Sequence, residues 1–166
     1  TVVNLLLESP PDDAKTALKG VRFVSCSTAP LMPEQHRRFE ETYGVPLVQL
    51  YGMSEGGVVC ANYPDNRRIG SVGKPGLYHQ ITIRDPEGEE LPPGEVGEIE
   101  TVSAQHAQAY LHAGGKLETI RGGALKTGDL AAIIDEIHAV APPLFERRAK
   151  WLAENESVQW NTESNG

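Results

Sequence analysis

The run richest in residues capable of chemistry is Tyr51-Gly52-Met53-Ser54-Glu55-Gly56-Gly57, directly after the apolar run Pro46 to Leu50. Ser54 can donate to an anionic oxygen, and Glu55 can hold a hard cation. Tyr51 offers a flat face for a ring, and Gly52 lets the backbone turn sharply or come close to a ligand. A nucleotide with its magnesium needs that set of groups. Taken alone, the same residues also fit a buried strand that ends in an ordinary glycine-rich loop.

Two further stretches carry polar side chains beside apolar runs: Ser27-Thr28-Ala29-Pro30, after the run ending at Cys26, and Lys126-Thr127-Gly128-Asp129, which leads into the run Ala131 to Ile134. An aspartate in a Thr-Gly-Asp turn can simply cap its own turn. The five histidines, at 36, 79, 106, 112 and 138, show no metal-ligand spacing and are expected at surface or satisfied positions. Lys74 and Lys126 are expected to be solvated, and Cys60 to be packing rather than a nucleophile.

The elements that must position these groups follow from periodicity. Thr1 to Ser9 reads as the end of a mostly buried helix, stopped by Pro10-Pro11, and Asp12 to Leu18 as a short helix closed by Gly20. Val21 to Cys26 alternates as a strand. Pro33 starts a helix with His36, Phe39 and Tyr43 on one face, and Gly44 ends it. Val45 to Leu50 is the next strand. This is a βαβ pattern with a parallel pair, and ligands on such sheets collect at the C-terminal strand ends. Both Ser27–Pro30 and Tyr51–Glu55 fall there.

After Val58 the pattern changes. Gln80 to Arg84 and Val96 to Val102 alternate as strands, with Glu98 and Glu100 opposite Ile99, and Asp85 to Gly88 is a tight turn. Ala104 to His112 reads as a helical turn or loop, and Ala131 to Ile134 as a further strand. The fold class is therefore α/β: a βαβ unit with parallel strands, then a small antiparallel sheet or barrel. The division is 1–57, 58–136, and a divergent tail 137–166, helical around Leu144 to Leu152 and disordered at its end.

With 166 residues, 39% hydrophobic and 23% charged, the chain has material for a core. A net charge of −8 argues against non-specific nucleic-acid binding and against an anionic membrane surface. Cys26 and Cys60 form no CxxC, which suits a reducing cytosol. No apolar run approaches the ~20 residues of a membrane span. A cytoplasmic protein is expected, and the opening of the chain inside a helix-like stretch points to a fragment of a larger fold.

Five segments occur in the order found in the adenylate-forming superfamily, which includes acyl-CoA synthetases, firefly-type luciferases and peptide-synthetase adenylation domains. Cys26-Ser-Thr-Ala-Pro-Leu31 resembles the adenine-side loop, usually Ser-Gly-Ala-Ala-Pro-Leu. Tyr51-Gly-Met-Ser-Glu55 resembles the Tyr-Gly-x-Thr/Ser-Glu motif, in the variant typical of acyl-CoA synthetases. Gly70 to Pro75, Leu91 to Ile99 and Lys126-Thr-Gly-Asp129 are similar to the motifs that follow.

The resemblance implies ATP-dependent activation of a small-molecule carboxylate to acyl-AMP, then transfer to coenzyme A, with Mg²⁺ as the metal and fatty acid metabolism as the setting. It implies that Ser54 and Glu55 are catalytic, Ser54 donating to a phosphate oxygen and Glu55 binding Mg²⁺. Tyr51 would stack on adenine, with Ser27, Thr28, Ala29 and Pro30 over its other face. Gly52 and Met53 would lie along the nucleotide, and Asp129 would accept from the ribose hydroxyls. Arg148, in a segment similar to the family's hinge, would also reach ribose. Gly56, Gly57 and Val58 would lie near the acyl pocket.

The chain departs from the family in four places. Ser27 and Thr28 replace the usual Gly and Ala, and the stretch before Tyr110 lacks the usual glycine. The upstream phosphate loop and the downstream catalytic lysine are missing, so little activity is expected of this chain alone. Two rival readings stay open: a degenerate, non-catalytic nucleotide-binding or interaction module, and an amino-acid adenylation domain.

Overall fold

A computed structural model describes residues 2–120, 123–135 and 138–140. Arg148 and most of the tail lie outside the described residues.

Helix α1 (Val2–Glu8) and the short α2 (Ala14–Ala17) pack on α3 (Pro33–Tyr43). Helix α3 forms where its signals place it. Proline opens it, and Gln35 Oε1 accepts the Met32 N–H at 3.0 Å. Gly44, with φ 65°, closes it as its N–H bonds to Glu40 O. The buried face is His36, Phe39 and Tyr43, as the periodicity predicts. Val3, Leu7, Ala14, Phe39, Tyr43, Val45 and Leu47 form the first core. The expectation of a mostly buried opening helix fails. Of the apolar side chains in α1 only Val3 and Leu7, one turn apart, are buried, while Val2 and Leu5 stay 72% and 66% exposed.

Strand β1 (Val24–Cys26) runs parallel to β2 (Leu47–Met53), with Cys26 opposite Gln49. The βαβ unit is therefore present, although β1 starts three residues later than the alternation from Val21 suggests. Strand β2 also runs further than expected. It continues through Tyr51, Gly52 and Met53 and turns at Ser54–Gly56 into antiparallel β3 (Gly57–Ala61), which pairs with β4 (Lys74–Pro75). The first sheet thus carries past residue 57 into a hairpin.

Gly52 is required by that hairpin rather than by a sharp turn. A Cβ there would sit 2.1 Å from the Gly57 carbonyl oxygen across the pair. The register slips between Tyr51 and Gly52, which twists the strand as it leaves the sheet.

A polar cluster ties these parts together. The Glu40 carboxylate accepts the Leu47 N–H at 2.8 Å, the His36 Nε2–H at 3.1 Å and both guanidinium arms of Arg67. Asn62, fully buried, donates to the carbonyls of Arg68 and Ser71 and accepts from the Arg68 N–H, pinning the 62–71 loop.

The second sheet is antiparallel and ordered β10-β9-β6-β5, from β5 (Gln80–Arg84), β6 (Gly97–Val102), β9 (Ala124–Asp135) and β10 (His138–Val140). Its core is Ile83, Ile99 and Ala131. Between the sheets' main chain segments, β7 (Ala109–Leu111) and β8 (Leu117–Thr119) make a two-stranded hairpin. The helical alternative for residues 104–112 is thereby excluded. Tyr51 and Ile81 pack against both the Val59–Cys60–Val72 cluster and the Ile83–Ile99–Ala131 cluster, so Tyr51 bridges the two sheets.

Candidate functional site

The Lys126–Asp129 segment is not a turn that leads into a strand. It lies inside the long strand β9 as a bulge. Glu98 pairs with Leu130 and Glu100 with Lys126, so the three residues Thr127, Gly128 and Asp129 stand opposite Ile99 alone. Gly128 takes φ 73°, the left-handed region a glycine enters freely. Thr127 Oγ1 donates to the Ile99 carbonyl at 3.0 Å and accepts the Asp129 N–H at 3.2 Å. Thus Asp129 does not cap its own turn; the Thr127 hydroxyl does, and the carboxylate is left to point elsewhere.

It points to the other sheet. The Tyr51 hydroxyl donates to Asp129 Oδ2 at 2.8 Å, joining two segments 78 residues apart in sequence. Burial, together with the Asp129 charge, pushes the phenol far above its ordinary value, so it stays neutral and donates. The second Asp129 oxygen accepts no hydrogen bond among the described residues.

Ser54 and Glu55 occupy the turn beyond Tyr51. The Glu55 carbonyl accepts the Ala107 N–H at 2.7 Å, which presses the 103–107 turn against this one. The Glu55 carboxylate makes no hydrogen bond or ion pair among the described residues. Its charge is felt at Tyr110, whose phenol is raised first by burial and then by Glu55. A half-exposed, unengaged carboxylate fits Mg²⁺, which takes one or two carboxylates and fills its shell with water and phosphate oxygens. No group of three or more potential metal ligands exists among the described residues.

The loop Ser27–Pro30 leaves β1 just after Cys26 pairs with Gln49, two residues short of Tyr51 on the neighbouring strand. No hydrogen bond joins it to Tyr51 or Asp129 among the described residues. Thr28 has φ 69°, an outlier for a β-branched residue, and its hydroxyl turns back to the Ser27 carbonyl at 2.6 Å.

Sequence reasoning missed two features. Glu98, read as the outward face of a strand, is only 8% exposed, and its Oε1 accepts the Gly128 N–H at 3.1 Å. The histidines also differ from expectation. His79 Nε2, His36 Nδ1 and both ring nitrogens of His106 are buried without a hydrogen-bond partner among the described residues, and the His79 and His106 rings lie 5.5 Å apart. Burial, then His106, holds the His79 imidazole below its ordinary value. The Glu98 contact was latent in the pairing of a Gly-Glu segment with a Thr-Gly-Asp segment; His36 was placed by helical spacing, whereas the burial of the His79 and His106 ring nitrogens had no signal in spacing.

The model of the AMP-binding enzyme family matches residues 1–111, well over half of the chain. The chain belongs to the AMP-binding enzyme family. Its relatives are CoA ligases. It is 35% identical over 145 residues to the sulfoacetate–CoA ligase of Cupriavidus necator, covering 78% of this chain and 26% of that ligase. It is 31% identical over 120 residues to a feruloyl-CoA synthase of Amycolatopsis, covering 70% and 24%. Among solved structures, apo MatB of Rhodopseudomonas palustris matches with TM-score 0.72 and 30% identity, over 83% of this chain and 28% of MatB. An anthranilate CoA ligase in complex with anthranoyl-AMP matches with TM-score 0.73 and 25% identity, over 83% and 27%. This chain therefore spans about a quarter of the length of these relatives. No helix among the described residues is long and apolar enough to cross a membrane.

Proposed function

We propose that this chain is the nucleotide-facing portion of an ATP-dependent carboxylate–CoA ligase that forms acyl-AMP and then acyl-CoA. The observation that carries the reading is the Tyr51–Asp129 hydrogen bond at 2.8 Å. It sets an aromatic face beside a carboxylate with an oxygen to spare, as a purine and its ribose require. Asp129 accepts from a ribose hydroxyl through that oxygen. Tyr51 presents its ring to adenine, held at its hydroxyl so that little rotamer freedom is lost on binding. Ser27–Pro30 borders the other side, with Gly52 and Met53 along the nucleotide.

Ser54 donates to a phosphate oxygen, and Glu55 holds the divalent cation. Magnesium, when bound, supplies neutralisation of phosphate charge. Positioning and electrostatics then account for the contribution of these residues to in-line attack at the α-phosphate.

Isothermal titration of the chain with AMP and with MgATP tests the reading. Binding that Asp129→Ala weakens, and MgATP binding that Glu55→Ala weakens more than AMP binding, supports it. Affinities unchanged by both substitutions overturn it. Carboxylate-dependent pyrophosphate release by this chain alone is expected at background level; robust turnover would contradict the assignment of a partial machine.

One observation favours a second reading, a degenerate nucleotide-binding module without catalysis. Thr28 is strained at a position where the family's loop carries a smaller residue, and its hydroxyl is spent on Ser27. Full AMP affinity with no contribution from Glu55 would select that alternative.

A further inference from the structure

Glu98 is a buried carboxylate that no ligand-contacting role accounts for. It sits on β6 between Gly97 and Ile99, both buried, where an apolar side chain would carry no desolvation penalty. Its cation partner does not explain it. Lys126 Nζ is 3.9 Å from Oε2 and its side chain is 58% exposed, a weak and screened contact. The close contact of Glu98 is the backbone: Oε1 accepts the Gly128 N–H at 3.1 Å.

That amide belongs to the middle residue of the three-residue bulge. A bulge leaves backbone groups without ladder partners, and the inner N–H of this one would otherwise be an unpaired donor. Thr127 anchors one side of the bulge to Ile99, and Glu98 anchors its apex. Asp129 is the next residue, and its carboxylate meets Tyr51.

We propose that Glu98 is the positioning residue for Asp129: by holding the Gly128 amide, its carboxylate fixes the bulge that turns Asp129 toward Tyr51 and the nucleotide. The part concerning nucleotide rests on the function proposed above; the part concerning the bulge does not. Glu98 acts through Gly128 and touches neither Tyr51 nor Asp129 by hydrogen bond. Among the described residues, the charged groups facing it are Lys126 on β9, Glu100 on its own strand and, opposite it on β5, Arg84, whose guanidinium is paired with Glu100. Burial outweighs the Gly128 amide and Lys126, and Glu100 adds to burial, so the carboxyl is held above its usual range. Protonation in mild acid weakens the charge-assisted bond to Gly128.

Amide exchange and chemical shifts of the full chain, read by NMR, test the bulge directly. Glu98→Ala is expected to speed exchange at Gly128 and Asp129 by about tenfold, the loss of one hydrogen bond of ordinary strength, and to shift the Tyr51 ring signals. Ile99 and Leu130 should keep their protection. Glu98→Gln, which keeps an acceptor oxygen, should hold exchange within about threefold of the original. The Gly128 amide shift should titrate in mild acid in the original chain and be flat in Glu98→Gln, a readout that tracks the carboxyl itself and survives even if Glu98→Ala fails to fold. Unchanged exchange in Glu98→Ala, or the same titration in Glu98→Gln, overturns the proposal. AMP titration of the same set separates the two layers. About tenfold weaker binding in Glu98→Ala extends the role to the nucleotide. If the original chain binds no AMP, the function proposed above falls while the exchange data still decide whether Glu98 positions Asp129.

Discussion

The Glu40 and Asp129 clusters are both built around a half-buried carboxylate that joins distant segments, yet they are finished to different degrees. Glu40 receives the Leu47 amide, the His36 ring and two arms of Arg67, so that both its oxygens are engaged. Asp129 receives one donor among the described residues, the Tyr51 hydroxyl, on one oxygen. The first cluster is closed and can only hold helix, strand and loop together. The second keeps an acceptor in reserve on a rigid support. Saturation separates a joint from a site, even where burial and residue type look alike.

The largest break in that comparison comes from Glu40→Ala. Removing the carboxylate leaves the buried Leu47 amide and the Arg67 charge without their partner, and a loss of about 3 kcal/mol in unfolding free energy is expected from urea melts. AMP affinity, measured under folding conditions, should change little. Asp129→Ala reverses the pattern. Stability should fall by about 1 kcal/mol, because only the Tyr51 hydroxyl is orphaned, while AMP affinity should drop by roughly ten- to a hundredfold. Equal effects of the two substitutions on stability would erase the distinction.

The smallest effect is the pH dependence. Burial is the main cause holding the His36 and His79 imidazoles below the ordinary value of 6.5, so the folded chain binds fewer protons there than the unfolded chain. Stability from these groups is complete above about pH 6.5 and drains as pH falls below it. Glu40 acts in a lower window. Burial pulls its carboxyl up, but Arg67, the Leu47 amide and His36 together hold it below 4.5. Its contribution is present above pH 4.5 and is lost as pH falls through its folded value. Thermal melts should show two steps, and Glu40→Gln should remove the more acidic one.

How much of this was legible in the sequence depends on the range of the signal. The helix Pro33–Tyr43 and its buried face were readable because proline, glycine and a helical repeat are local cues. The parallel pairing of β1 and β2 followed from the connection length. Strand ends were less accessible: β2 outruns its apolar run because Tyr51 to Met53 are paired by β3, a partner supplied by the chain beyond the turn. The meeting of Tyr51 with Asp129 could be expected only through the family resemblance, since no periodicity links positions so far apart. The burial of Glu98 was misread because alternation assumes one solvated face, whereas the β9 bulge lies over it.

The crowding at Gly52 bears on how sequence signatures should be weighed. Its missing side chain answers to the Gly57 carbonyl of its own hairpin, whatever lies along its outer side. A descendant of this chain that had abandoned its chemistry would be free to exchange Ser54 or Glu55, yet would still be bound to keep the glycine. Within Tyr51–Glu55, then, one letter certifies the architecture while Ser54 and Glu55 answer to the proposed chemistry, and a search for working enzymes gains discrimination by scoring them apart.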